Sequence, residues 1–275
     1  MNDTNQSRKC PLSYKLEGTE EPVVFIQGVG LHGDGWLPQT KKLSPYYQCL
    51  TFDSRGVGQS PLGDVDITVE QMAEDTFTVM DAAKIQTAHI VGHSLGGVIA
   101  LQLALTAPQR VRSLALLCTS SRGADATRLS LPMIWLGLRS RIGNRNMRAQ
   151  AFLEIIMPAE YLATKNRAAL AESLEPLFGH DLGETPPIVM SQLKALQRFD
   201  VSTRLRELAI IPTLVLSATE DRIFPPKYGR QLAAAIPRSN YVEIPGAAHG
   251  VTIQSSEAVN RELLEHFIAA AEGSI

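Results

Sequence analysis

The chain is short of the features that mark several common classes of protein. Its 275 residues hold three cysteines, Cys10, Cys49 and Cys118, an odd number with no C-x-x-C pair. That argues against a disulfide framework or a cysteine metal site. Two of the cysteines lie in apolar runs, so buried reduced thiols are expected. No apolar run approaches membrane-spanning length, and Met1 to Tyr14 is polar without the apolar stretch of a signal peptide. A soluble cytoplasmic protein with no membrane partner is the expectation. The formal net charge of -2 leaves no basic field for nucleic acid or anionic lipid. Internal repeats and low-complexity tracts are lacking too, and nothing in the composition fixes an oligomeric state.

What is present is alternation. The length suits one large domain, or one with an insertion. Leu12 to Glu17 suggests an edge strand, and Val23 to Ile26 is a continuous apolar run of the kind covered on both faces in a parallel sheet. A glycine-dense loop follows from Gln27 to Trp36, then a short helix to Leu43 and a strand from Tyr46 to Phe52. That strand ends in a second glycine-punctuated loop, Asp53 to Ser60. Thr68 and Gln71 have the spacing of a capping box at the head of the next helix. Strands and helices continue to Cys118 and resume from Ile211 to a terminal helix over Ser256 to Ala271. Such an order predicts a doubly wound sheet with its ligands at the carboxyl ends of the strands.

The chemistry gathers at Gly92-His93-Ser94-Leu95-Gly96-Gly97, between the apolar run Ala88 to Val91 and a helix that is apolar almost all round. A serine held in a strained turn between strand and helix needs glycine two residues to either side, where side chains would collide. The first N–H groups of the helix would then point at a forming oxyanion. The plain alternative is a serine in an ordinary strand-to-helix turn, and the partners found downstream decide between the two.

Between Ser120 and Phe199 no strand reads clearly. Helical pieces run over Met147 to Met157, Pro158 to Leu174 and Ile188 to Phe199, with Val189, Leu193 and Leu196 on one face of the last. Arg139, Arg141, Arg145 and Arg148 form a basic cluster whose expected role is a solvated surface. Residues 120–199 are therefore read as a helical cap (lid) inserted into a core domain of residues 1–119 and 200–275. Trp135, Phe152 and Tyr161 are candidate substrate-pocket residues within it.

Taken together, the elbow, the Asp53 to Ser60 loop, Asp221 after a late strand and His249 before the last helix resemble the α/β-hydrolase superfamily over nearly the whole chain outside the lid. The resemblance implies an α/β-hydrolase fold: a mostly parallel central sheet flanked by helices, with the inserted lid. It assigns the nucleophile to Ser94, the acid to Asp221 and the base to His249, and the oxyanion-hole N–H groups to Val29 and Leu95. Gln27 departs from the pattern, since related hydrolases commonly carry histidine before the glycine. Glu220 and Asp125 remain alternatives for the acid.

These roles agree with the residues' own chemistry. A serine hydroxyl needs a base within hydrogen-bond reach, histidine can take and return its proton, and a carboxylate fixes the histidine tautomer. His32 is a candidate substrate contact beside the glycine loop, whereas His89, His93, His180 and His266 read as packing or surface residues. The expected activity is a serine hydrolase (carboxylesterase) cleaving a small-molecule ester through an acyl-enzyme, with no cofactor or metal. Lactonase, thioesterase, carbon-carbon bond hydrolase and perhydrolase activities use the same machinery. A non-catalytic ligand-binding or receptor protein on this scaffold is the alternative of another class.

Overall fold

The computed structural model describes residues 11–127 and 130–273. Cys10 lies outside the described residues, while Cys49 and Cys118 are free and buried. The strands are β1 (Tyr14–Glu17), β2 (Glu21–Ile26), β3 (Tyr47–Phe52), β4 (Ala88–His93), β5 (Val111–Leu117), β6 (Thr213–Ala218) and β7 (Asn240–Ile244). They form one sheet in the order β1-β3-β2-β4-β5-β6-β7. Among the described strands of this sheet, the edge strand β1 alone runs antiparallel. Successive residues of a strand point to opposite faces, so each apolar run feeds two cores. Val24, Ile26, Ile90, Leu114 and Leu116 enter one buried cluster, and Val23, Phe25, Val91, Ala115 and Leu117 enter the other.

The helices are α1 (Leu37–Leu43), α2 (Val69–Ala82), α3 (Leu95–Thr106), α4 (Leu131–Arg139), α5 (Arg145–Ile156), α6 (Ala159–Ala163), α7 (Arg167–Phe178), α8 (Val189–Arg198), α9 (Pro226–Ala235), α10 (Val251–Gln254) and α11 (Ser256–Ala271). One face of the sheet is covered by α2, α3 and α9, the other by α1, α10 and α11. Thr68 caps α2 by accepting the Gln71 N–H, but the Gln71 amide turns away to Asp75. That carboxylate is held in a nearly buried pair with Arg55, which ties the Asp53 to Ser60 loop to α2.

Among the described residues, the helices α4 to α8 stand between β5 and β6. Helices α5 to α7 share a buried cluster of their own through Leu153, Ile156, Leu162, Leu174 and Phe178. By contrast, Ala195 and Leu196 of α8 belong to the core of the sheet. The single helix expected over Pro158 to Leu174 is two, because the Asn166 side chain accepts the N–H groups of Ala168 and Ala169 and so starts α7 afresh. Among the described residues no helix is long and apolar enough to cross a membrane.

At the amino ends of the strands sits a second polar group. His89 in β4 meets the Ser113 hydroxyl through Nδ1 at 2.7 Å, and its Nε2 lies 3.4 Å from the Glu21 carboxylate. Its ring is 4.5 Å from that of Phe267, next to His266. Burial pushes His89 down to about 4 against the pull of Glu21. It pushes His266 down to about 4 as well, with the neighbouring His89 adding to the shift.

Candidate active site

Three strand ends and one loop converge at the carboxyl edge of the sheet. Ser94 follows β4 with φ 56° and ψ -120°, a backbone conformation that L residues rarely adopt. The flanking glycines explain how the turn closes: a Cβ on Gly96 would stand 2.0 Å from the Ile26 carbonyl oxygen, and one on Gly92 2.2 Å from that of Gly96. The turn is pinned from the neighbouring strand, since Ser94 N–H donates to Leu117 and the Thr119 hydroxyl donates to the Ser94 carbonyl at 2.8 Å.

His249, in the loop after β7, brings Nε2 to 2.9 Å from the Ser94 hydroxyl. Its Nδ1 lies 2.8 Å from Asp221 Oδ2. Asp221 itself is fixed, because its other oxygen accepts the N–H groups of Ile223 and Phe224 at 2.8 and 2.9 Å. All three side chains are buried. A carboxylate bonded to Nδ1 sets the proton there and leaves the Nε2 lone pair for the serine proton. Neither alternative acid takes this position. Glu220 is exposed beside Asp221, and Asp125 accepts from Ser120 at 2.6 Å in a separate polar cavity that it shares with Arg122 and Lys227.

The two expected oxyanion donors flank the serine. Leu95 is the first residue of α3, where the N–H has no acceptor within the helix. Val29 follows Gly28, which lies so close that an added Cβ would stand 3.3 Å from the Ser94 Cβ. Gln27 is buried, and its Oε1 accepts the Gly28 N–H at 2.9 Å, so it shapes the loop it begins.

Above the serine lies a cavity of about 320 Å³, walled by apolar groups including Val29, Met133, Phe152, Ile155, Phe178, Val189, Leu193 and Phe224. Phe152 stands where a pocket residue was expected, and three other candidates do not. Trp135 is 63% exposed, because α4 turns Met133 and Leu136 inward and this residue out. Tyr161 packs into the cluster of α5 to α7 with the Lys165 ammonium 5.2 Å above its ring. The His32 ring packs against Gly179, and His32 is not among the residues that line the cavity. Arg141 and Glu184 of opposite charge also border it.

Three further residues escaped the sequence reading. Gln192, fully buried on α8, accepts the Gly30 N–H at 2.7 Å and so fastens the glycine loop from above. Its signal was a polar residue in the apolar stripe of Val189, Leu193 and Leu196. His93 donates from Nε2 to the His249 carbonyl at 2.8 Å, which leaves its buried Nδ1 a lone pair with no partner among the described residues. Burial, then the neighbouring His249, pushes it down to about 3, so it is neutral. Cys118, with φ 47°, lies beside Asp221, and burial pushes its thiol up, further raised by that carboxylate. The donor atoms of His93, Cys118 and His249 fall within 4.8 Å of one another, a set able in principle to hold a soft metal ion. Hydrogen bonds already engage both nitrogens of His249 and one of His93.

Residues 21–255 match the family model described as alpha/beta hydrolase fold. Among curated proteins, the chain is 29% identical over 253 residues to "Putative carbamate hydrolase RutD" of Azorhizobium caulinodans, covering 92% of this chain and 93% of that one. The protein of the same name from Klebsiella pneumoniae is 32% identical over 253 residues, with 90% and 91% covered. Among solved structures, the enol-lactonase of Burkholderia xenovorans LB400 superposes with a TM-score of 0.77 at 26% identity, covering 94% of this chain and 96% of that one.

Proposed function

The chain belongs to the alpha/beta-hydrolase family, and from that premise we propose that this hydrolase cleaves uncharged carboxylic esters of small to medium size through an acyl-enzyme. The observation that carries the reading is the unbroken relay from Ser94 through His249 to Asp221, buried at the floor of an apolar cavity. His249 takes the proton as Ser94 Oγ attacks the carbonyl carbon. The N–H groups of Val29 and Leu95 stabilise the tetrahedral oxyanion, and each such donor is worth about 2.7 to 4 kcal/mol of barrier. His249 then returns the proton to the leaving alcohol. Water, activated by the same histidine, releases the acid and restores the serine. The helices of residues 120–199 serve as a cap that supplies much of the pocket wall.

A second reading is carbamate cleavage, in keeping with the names of the relatives. Size favours the ester: a cavity of about 320 Å³ far exceeds what a free carbamate ion fills.

A series of p-nitrophenyl esters separates the readings. Each methylene buried is worth about 0.8 kcal/mol, so kcat/KM should climb roughly fourfold per carbon from acetate to about butyrate or hexanoate and then fall. A clear preference for a dicarboxylic monoester would show that Arg141 turns inward and would overturn the apolar pocket. Ammonia release from carbamate without ester turnover would favour the second reading. A fluorophosphonate probe should label Ser94 stoichiometrically, and an unlabelled native protein would point to a binding role instead.

A further inference from the structure

The formal charge of -2 averages over an uneven chain. From Ala126 to Leu153 there is no acidic residue and there are five arginines, Arg128, Arg139, Arg141, Arg145 and Arg148, the first of them outside the described residues. This stretch contains α4, whose apolar face is turned the wrong way for a surface helix. Leu131, Ile134, Trp135 and Leu138 recur at the spacing that a helix normally buries, yet they are 81, 47, 63 and 48% exposed. Ile142 and Met147 extend the exposed patch, and Arg141 reaches across it to the sulfur of Met190 on α8. The opposite side of the same helix, at Met133 and Gly137, lines the cavity above Ser94.

We propose that this face docks on anionic lipid, with the α4 stripe seated among the headgroups and the arginines set against lipid phosphates. A helix with leucine and tryptophan on one face and arginine at its border has the composition of an interfacial helix. Each arginine brought to an anionic surface strengthens binding by about fivefold. Arg139 and Arg145 are paired with Glu154, Glu175 and Asp181. Arg148 bonds the carbonyls of Gly143 and Gly183 and feels the nearby Asp181 carboxylate, whereas the exposed Arg141 meets a thioether and forms no salt bridge among the described residues.

The other occupants fit less well. A second copy docked face to face on a two-fold axis would bring Arg141 and the exposed stripe against their own copies, setting like charge against like charge at the border of the patch. A peptide would need a groove, whereas the stripe stands out along one exposed helix. Docking there would bring the cavity wall to the lipid surface, from which an apolar ester could enter. That last step rests on the esterase reading, and the docking does not.

The test uses the full chain and vesicles of phosphatidylcholine, with or without about one-third phosphatidylglycerol. Native protein should sediment with the anionic vesicles and at least tenfold less with neutral ones or at high salt. Emission should shift to the blue on binding, and Trp135 would carry the change because the other tryptophan, Trp36, is fully buried. The Leu131→Glu/Leu138→Glu double variant should lose at least tenfold in vesicle binding while keeping its melting temperature and its turnover of soluble p-nitrophenyl acetate. Equal binding to neutral vesicles, or undiminished binding by the double variant, would overturn the proposal. So would a solution dimer that the double variant splits, or no binding at all, which would turn attention to an acidic protein partner. Vesicle binding is measured without turnover, so an absence of esterase activity would leave this result standing.

Discussion

The carboxyl edge of the sheet and the helices between β5 and β6 both face Ser94, but they are held in place differently. At the sheet edge the backbone itself leaves no choice: Gly96 lies against the Ile26 carbonyl, and Ser94 keeps a positive φ that the neighbouring strand pins through Leu117 and Thr119. In α4, Gly137 has nothing within 4 Å of where a Cβ would stand, and the apolar face is turned outward. One region is fixed by main-chain contact and the other by which side chains happen to turn inward. On the proposed reading the chemistry sits on the first region and recognition on the second.

The largest effect should come from the fixed region. Ser94→Ala and His249→Ala should each retain less than about a hundredth of the ester turnover with unchanged melting temperature, because members of such a relay act as a unit. Asp221→Asn should fold and lose roughly ten-thousandfold in kcat, since an amide can hold the histidine in the wrong tautomer. Greater residual activity in the serine or histidine variant would remove the relay from the mechanism.

The glycines give a direct contrast. Gly96→Ala forces backbone against backbone and should lower stability in urea by about 3 kcal/mol, the upper end of overpacking costs. Gly137→Ala, in an open part of a helix, should raise it by about 0.5 to 1 kcal/mol. Equal effects at the two sites would erase the distinction drawn between the regions.

Gln192 joins them, since it reaches from α8 to the Gly30 N–H. Leaving that donor unpaired should let the glycine loop shift, so Gln192→Leu is expected to lower kcat about tenfold with little change in KM. Gln192→Glu keeps the acceptor oxygen and should recover most of the rate. A KM effect alone in the leucine variant would make the residue part of the pocket rather than a brace for the oxyanion donors.

The same contrast explains what was legible in the sequence. The strands were readable because an apolar run covered on both faces leaves little alternative, and Ser94, Asp221 and His249 because each follows such a run at a loop. Trp135 and Tyr161 fall outside the cavity wall because composition shows that a helix has an apolar face, not which way that face turns, and His32 does because closeness along the chain to the glycine loop does not fix where a side chain points. Phe152 and Trp135 are alike as letters, and only the packing of Met133 and Leu136 decides that Trp135 points out. His93 and Cys118 were read as packing residues since their contacts are with groups more than 100 residues away, His249 and Asp221.

The pair His89 and His266, far from Ser94, makes folding a proton-linked equilibrium. Both are pushed down to about 4 in the folded state, whereas in the unfolded chain they titrate near the ordinary value of about 6.5. Between those limits the unfolded chain binds more protons, so stability is complete above pH 6.5 and drains away as pH falls toward 4, below which these groups cost nothing further. Unfolding at pH 5 should therefore take up close to two protons from these sites and about one more at His93, which is pushed down to about 3, measurable together as the slope of urea-unfolding free energy against pH. His266→Gln should remove about one of them. An unchanged slope would mean that the unfolded chain does not titrate there as assumed. The molecule would thus carry acid sensitivity at both ends of the sheet, in His89 and His266 at the amino ends of the strands and in His93 beside Ser94, so that acid would loosen the fold from two sides at once.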